Sequence, residues 1–160
     1  MTEDTKAILK ALRRRHPAAE WAFFEELRAG TGWGNKRWGA DKAPSNPEQR
    51  FDAWAINLYP SKNFLRIAYE IKVSRSDFLH EIKNPEKRSQ ALKLSNQFYF
   101  VAPQGLIKPT ELPPEAGLIE VKDEWESRLK VRAPMREAEA PTWQFFASIA
   151  RRMQSLESRI

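Results

Sequence analysis

Two apolar runs, residues 51–58 and 64–73, limit how this sequence can fold, because a short connector joins them. Both runs are rich in β-branched and aromatic residues, and the connector contains proline, serine and asparagine, which favour turns. The pattern predicts a β-hairpin of two antiparallel strands. If the turn centres on Ser61, then Asp52 lies directly opposite Glu70, because opposed residues have numbers with a common sum.

This register places two carboxylates and a lysine on one face of the hairpin. Opposed side chains have Cβ atoms about 5 Å apart, and like charges there are destabilising unless a positive charge lies between them. A divalent cation would supply that charge at Asp52 and Glu70. Side chains alternate along a strand, so Lys72 lies on the same face as Glu70. Carboxylates bind Mg²⁺ or Mn²⁺, the metal activates water, and a lysine orients or stabilises the nucleophile, which is typical of phosphodiester hydrolysis.

The same residues resemble a known motif. Asp52 followed by Glu70-Ile71-Lys72 resembles the pattern of the PD-(D/E)xK nuclease superfamily. The sequence departs from that pattern at Phe51, which stands where the motif has proline. The resemblance implies that Asp52, Glu70 and Lys72 are catalytic, with the two carboxylates binding Mg²⁺ or Mn²⁺ and the lysine assisting the attacking water.

Two longer stretches extend the resemblance. YEIKVSRSDF at 69–78 and NQFYFVAP at 96–103 resemble the MmcB-like branch of DNA-repair endonucleases and related phage-borne proteins, over about residues 20–121. The resemblance implies an α/β fold with a restriction-endonuclease-like core, in which an antiparallel meander and a parallel strand form a central mixed β-sheet flanked by α-helices. It also implies a metal-dependent DNA nuclease, an endonuclease rather than an exonuclease, in DNA repair, recombination or phage DNA processing.

A further metal ligand is also implied by the resemblance. Some members of the superfamily carry an additional metal-binding glutamate before the aspartate, and Glu26 occupies a comparable position here, with Glu20 as the alternative. The competing interpretation is that both are ordinary exposed carboxylates.

The segment after the hairpin is basic and contains Lys87 and Arg88. We expect both to contact DNA, and the resemblance implies that Arg75, Lys87 and Gln90 offer polar side chains to the DNA backbone. For Arg75, the alternative is a structural ion pair with Asp77.

Residues 31–49 combine glycine, lysine and arginine with Trp33 and Trp38. Such a segment fits a loop that binds a nucleic-acid strand through phosphate contacts and base stacking. It fits equally well a loop whose tryptophans cap the core.

Periodicity and capping signals predict the remaining elements. Residues 18–30 suit a helix or a strand, and the resembled fold favours a strand. Ser76 is the expected N-cap of a helix that ends at Ile82, and a second helix is expected from Asn84 to about Ser95. The C-terminal apolar stripe that includes Trp143 and Phe146 is interpreted as core, with a dimer face as the alternative. Helices are also predicted at 2–16 and 142–158, and strands at 98–102, 117–121 and 129–131.

Length and composition bound the function. The 160 residues fit a single nuclease-like domain spanning 1–160, and the formal net charge of +6 favours an anionic partner such as DNA. The chain has no cysteine, which excludes disulfides and zinc–thiolate sites.

No apolar run is long enough to span a bilayer, so we expect a cytoplasmic, nucleoid-associated protein with no membrane contact, and we leave a homodimer open. The competing functions are a nucleic-acid-binding module without turnover and an interaction protein with a non-nucleic partner.

Overall fold

Six β-strands form one sheet in the computed structural model, which describes residues 1–30 and 49–159. They lie in sequence order: β1 Trp21–Arg28, β2 Arg50–Asn57, β3 Arg66–Ile71, β4 Gln97–Pro103, β5 Ala116–Val121 and β6 Ser127–Val131. The first three strands form an antiparallel meander, β3–β4 and β4–β5 are parallel pairs, and β6 is antiparallel to β5. The predicted α/β class with a central mixed sheet is confirmed.

Within the described residues, four α-helices cover the two faces of the sheet. They are α1 Glu3–Arg14, α2 Arg75–Ile82, α3 Ser89–Lys93 and α4 Trp143–Glu157. On one face, Ile8 and Leu12 of α1 belong to a buried apolar cluster. On the other, Phe78 of α2 and Phe145 of α4 pack in a second cluster with Trp54 of β2. Ala53 and Ala55 of β2 belong to the first cluster, so successive residues 53, 54 and 55 of this strand pack on opposite faces of the sheet.

The hairpin has the predicted register. Ala53 pairs with Tyr69, and the other pairs between β2 and β3 have the same numerical sum, so the turn does centre on Ser61. The turn itself is wider than a two-residue hairpin, because β2 ends at Asn57 and β3 begins at Arg66. Within it, Asn63 and Phe64 have φ angles of 53° and 48°, a left-handed conformation that departs from the extended backbone just before β3.

Several other predicted elements are confirmed, with changed boundaries. Residues 18–30 contain β1, the strand after the helices pairs parallel to β3, and β6 lies at the sheet edge. The cap of α2 is Ser74 instead of Ser76, since the Ser74 Oγ accepts a hydrogen bond of 3.1 Å from the Asp77 N–H. The helix expected from Asn84 is broken into a 3-10 turn, Pro85–Arg88, followed by α3.

The orientation of α4 overturns one prediction. The stripe that was interpreted as core is largely outside, with Trp143 82%, Phe146 56% and Met153 51% exposed. Phe145 is the buried residue instead, and its ring centroid lies 5.0 Å from that of Trp54. Apolar spacing identifies a helix face but does not determine which way the helix is rotated against the sheet. Here Phe145 packs against the large Trp54 ring.

Two further expectations concern membrane contact and the segment around Trp33 and Trp38. Among the described residues, no helix combines the length and the apolar character needed to cross a membrane. The segment around Trp33 and Trp38 lies outside the described residues, apart from Gln49 at its end.

Candidate active site

The hairpin brings Asp52 of β2 and Glu70 of β3 together at the end of their paired region. Extending the observed register by one step from Ala53 and Tyr69 sets the two carboxylates opposite each other. The Asp52 Oδ2 accepts a hydrogen bond of 2.8 Å from the Ile71 N–H, which holds the carboxylate against the β3 backbone. The predicted pairing of these two side chains on one face of the hairpin is therefore present.

Lys72 completes the arrangement that the sequence predicted. Its Nζ lies 3.4 Å from the Glu70 Oε1 and 3.2 Å from the Oε1 of Glu81 in α2. Its backbone N–H donates to the Val101 carbonyl at 2.9 Å, which anchors the residue just beyond β3. The ammonium group is therefore held between two carboxylates instead of being solvated.

A second cation extends this network into the interior. The Arg88 guanidinium lies 3.2 Å from the Glu81 Oε2 and 2.9 Å from the Glu115 Oε1. Arg88 is only 3% exposed and Glu81 only 5%. Charges this deeply buried need partners, because an unpaired ion in the interior costs several kcal/mol. Glu81 thus links the candidate site to a buried ion pair behind it.

Burial and repulsion change the acid–base behaviour of the two opposed carboxyls. Burial raises the pKa of Glu70 to about 8, and the neighbouring Asp52 adds to the shift. Burial also raises the pKa of Asp52, although the hydrogen bond from the Ile71 N–H opposes that change. Because each carboxyl disfavours ionisation of the other, the pair retains a proton at neutral pH, with Glu70 as the donor to Asp52.

Lys72 keeps its charge at neutral pH, whereas the carboxyl pair loses part of its charge. Burial lowers the pKa of Lys72, but the Glu70 and Glu81 carboxylates raise it by more, so the net shift is upward. Lys72 is therefore an ammonium ion at neutral pH and is suited to stabilise negative charge, not to accept a proton.

A divalent cation fits the Asp52–Glu70 pair chemically. A cation between the two groups would offset their repulsion and displace the shared proton. Mg²⁺ is commonly bound by one or two carboxylates together with waters and substrate phosphate oxygens. In residues 1–30 and 49–159, no group of three or more His, Cys, Asp or Glu side chains is placed to hold a metal ion. These two carboxylates would therefore be the acidic ligands from this part of the chain.

Glu26 does not join the site. The strand register would place it opposite Asp52, but its φ angle of 50° is left-handed and interrupts the alternation of side chains in β1. Its exposed carboxylate lines a different depression, beside α4. The alternative, Glu20, is exposed and precedes the opposite end of β1. The structure therefore gives no support to either residue as a third metal ligand.

The four residues predicted to contact DNA have different environments. Arg88 is buried and bonded to two glutamates, so its assignment to DNA contact does not hold: a phosphate could reach it only by breaking the ion-pair network. Arg75 is exposed, and its guanidinium pairs with Glu111 instead of Asp77.

The other two lie nearer the surface beside the site. Lys87 is exposed and lines a small depression with Glu70. Gln90 is partly buried and uses its backbone N–H to bond the Gln49 side chain at 2.9 Å. Of the predicted set, Lys87 is the exposed residue that the structure brings beside Glu70.

Sequence reasoning missed Glu81. Its signal is its position three residues after Phe78 on the buried face of α2, since a glutamate is seldom buried without a cationic partner. Glu115, the outer partner of Arg88, follows the proline-rich segment and carries no comparable signal in the sequence.

Comparison with known proteins bears on the fold alone. No known protein family matches the chain, and no curated protein matches it. Among solved structures, the SPO1766 protein of unknown function from Silicibacter pomeroyi is similar, with a TM-score of 0.63 and 20% sequence identity over 98% of this chain and 92% of that chain. The two proteins therefore share an α/β architecture.

Proposed function

We propose that this protein is a Mg²⁺- or Mn²⁺-dependent DNA nuclease, acting as an endonuclease in DNA repair, recombination or phage DNA processing. The observation that carries the proposal is the pair of opposed carboxyls at Asp52 and Glu70, which share one proton, with the Lys72 ammonium 3.4 Å from the Glu70 Oε1. Two acids that repel each other and one fixed cation form a site that favours a metal ion and a phosphate together. A DNA substrate would associate the protein with the nucleoid.

The residues of this chain would act as follows. Asp52 and Glu70 would hold the metal, which activates a water and offsets charge on the phosphate when bound. Glu70 must first release the proton that it shares with Asp52, so binding would become tighter as pH rises. Lys72, fixed by Glu70 and Glu81, would orient the attacking water and stabilise negative charge on the phosphate.

Cleavage of labelled DNA by parent and variant proteins tests the proposal. Single-stranded, nicked, branched and supercoiled substrates should be incubated with and without Mg²⁺ or Mn²⁺. Asp52→Asn and Glu70→Gln preserve side-chain size but remove a ligand charge, so each should abolish cleavage of the substrates that the parent protein cuts. Lys72→Met should also abolish cleavage while leaving metal binding in place, because the lysine is not a ligand.

Glu86→Gln is the matched control, because Glu86 is an exposed acid outside the carboxylate pair. It should cut as fast as the parent protein. If Asp52→Asn cuts at the parent rate, the activity belongs to another site or to a contaminant.

A nucleic-acid-binding module without turnover is the second candidate. The observation in its favour is that the described residues supply no third acidic ligand to the pair. This alternative predicts that the parent protein binds DNA without cleaving it, and that added Mg²⁺ leaves the affinity unchanged. Fluorescence anisotropy of labelled DNA, titrated with and without Mg²⁺, separates the two candidates.

We also propose that the chain forms a homodimer through α4. Large apolar side chains on this helix are exposed, and a groove of about 520 Å³ beside them is lined by Leu58 and Phe64 of the hairpin turn. Four of these helix side chains, Trp143, Phe146, Met153 and Leu156, are between 45% and 82% exposed and supply apolar area toward the roughly 800 Å² that each partner buries in a standard interface. A second copy offers the same helix and groove, as a two-fold interface requires.

Sedimentation velocity over a range of protein concentrations tests the dimer. A variant with Trp143→Ser and Met153→Ser should sediment as a monomer where the parent protein is dimeric. Trp125→Ser is the control, since Trp125 is also an exposed tryptophan but lies after β5, away from α4. A parent protein that is monomeric at every concentration would contradict the dimer and leave another occupant for the groove.

A further inference from the structure

We propose that the depression between β1 and α4 binds backbone phosphates of a DNA strand that passes the Asp52–Glu70 pair. This inference deepens the proposed function, on which it rests for the location of the cleaved bond. The depression has a volume of about 340 Å³, and three arginines and two serines converge on it. Its lining includes Arg28, Arg151, Arg152, Ser148 and Ser155, and among the described residues that line it Glu26 is the one acidic side chain.

Arg152 is held in place as the floor of this depression. Its Nη2 donates to the Glu26 carbonyl at 2.9 Å, and its Nη1 donates to the Glu25 carbonyl. Both acceptors are neutral backbone oxygens, so the charge of the guanidinium is not cancelled by a carboxylate. The left-handed turn of the backbone at Glu26 lies in the same segment as these two carbonyls.

Arg151 is the exposed member of the group. It lies on α4 next to Arg152, and within the described residues no ion pair occupies its guanidinium. Because neither Arg151 nor Arg152 pairs with a carboxylate in the described part of the chain, their guanidinium groups repel each other, and an anion between them would offset that repulsion. Phosphate is the anion that fits best, because the planar fork of arginine donates two parallel hydrogen bonds to its oxygens.

The position of the depression indicates a polymer and not a single phosphate. Arg28 pairs with Arg50 across β1 and β2, and Asp52 follows Arg50 by two residues on the same strand. Arg50 also lines the small depression that contains Glu70 and Lys87. Cations therefore continue from α4, past the carboxylate pair, to the 3-10 turn that carries Lys87. A strand with a phosphate at every nucleotide matches this row of charges, whereas a lone anion would occupy one point of it.

Salt-dependent DNA binding by Arg151→Gln tests the inference. Binding should be measured by anisotropy with labelled duplex and single-stranded DNA in EDTA, so that cleavage and metal binding play no part. Each phosphate contact that is lost should reduce the slope of log Kobs against log salt by about 0.9 for duplex DNA. We expect that reduction for Arg151→Gln, together with weaker binding to DNA of any sequence. Arg128→Gln removes an exposed arginine from β6, at the opposite edge of the sheet, and should match the parent protein.

The outcomes separate this inference from the proposed function. If Arg151→Gln and the parent protein have the same slope, the phosphate site is refuted, whatever the protein cleaves. If the slope falls as expected but no metal ion gives cleavage, the phosphate site stands and the nuclease proposal fails. If the parent protein binds neither form of DNA, both are overturned.

Discussion

Lys72 has an environment that its immediate sequence does not reveal. Its side chain is 13% exposed, and both Glu70 and Glu81 lie within ion-pair distance of its Nζ. The Glu70 and Glu81 carboxyl groups on either side of the ammonium give the lysine a defined position. Glu81 also bonds Arg88, so the position of Lys72 depends on an ion-pair network behind the site. We therefore regard Glu81 as a positioning residue for Lys72.

Glu70→Gln should remove a pH dependence of stability. The pKa of Glu70 in the folded protein, about 8, lies above its ordinary value of 4.5, so the folded state binds this proton more tightly than the unfolded state. The stability that Glu70 contributes is complete below pH 4.5 and is lost as pH rises through about 8. Glutamine does not titrate, and one pKa unit is worth about 1.4 kcal/mol, so between pH 5 and pH 9 the parent protein should lose several kcal/mol more free energy of unfolding than the variant does.

Urea unfolding at pH 5 and pH 9 measures this difference. The parent protein should lose more free energy of unfolding between the two pH values than the variant does. An equal loss in both proteins would show that Glu70 ionises normally in the folded state.

At the scale of elements, Ser74 stabilises the start of α2. Its side chain caps the helix, and Phe78 and Glu81 further along it both lie on the buried face. A helix that began at Ser76 would still carry these residues at helical spacing, but its first turn would lack the bond to the Asp77 N–H. The cap therefore stabilises the turn that connects β3 and its lysine to α2.

Ser74→Ala and Ser76→Ala distinguish the two caps. Loss of an N-cap side chain costs about 1 kcal/mol, so Ser74→Ala should lower the free energy of unfolding by about that amount. Ser76 is exposed in the first turn, and Ser76→Ala should change stability by less than about 0.5 kcal/mol. Chemical denaturation of the two variants under identical conditions provides the measurement. Equal destabilisation by both would contradict the assigned cap.

At the scale of the whole molecule, metal binding and folding should be linked. The proposed ligands Asp52 and Glu70 lie on different strands, so the unfolded chain does not hold them together. A ligand that binds only the folded state at a concentration of about 100 Kd stabilises it by about 2.7 kcal/mol. For a domain of this size, that corresponds to a rise in Tm of roughly 5–10 °C.

Thermal unfolding with Mn²⁺ or Mg²⁺ at increasing concentration measures this linkage without any cleavage assay. The rise in Tm should be present in Lys72→Met and absent in Asp52→Asn. A metal-dependent rise of equal size in Asp52→Asn would place the ion elsewhere.

The hairpin and its carboxylate pair could be predicted from the sequence because their causes are local. Turn residues and the alternation of side chains along a strand act over a few positions, and they suffice to set Asp52 opposite Glu70 with Lys72 on the same face. The short apolar runs predicted where most strands lie, whereas the mixed arrangement of the sheet was implied by the family resemblance.

Tertiary structure alone decided which charges are buried and which apolar face is exposed. Arg88 follows a stretch of lysines and glutamate that is typical of a solvated surface, yet it is buried because Glu81 and Glu115 converge on it. The stripe of α4 has helical spacing, yet Phe145 beside it fills the space next to Trp54. These outcomes depend on contacts between residues far apart in the chain, and the periodicity of a single segment contains no information about its partners.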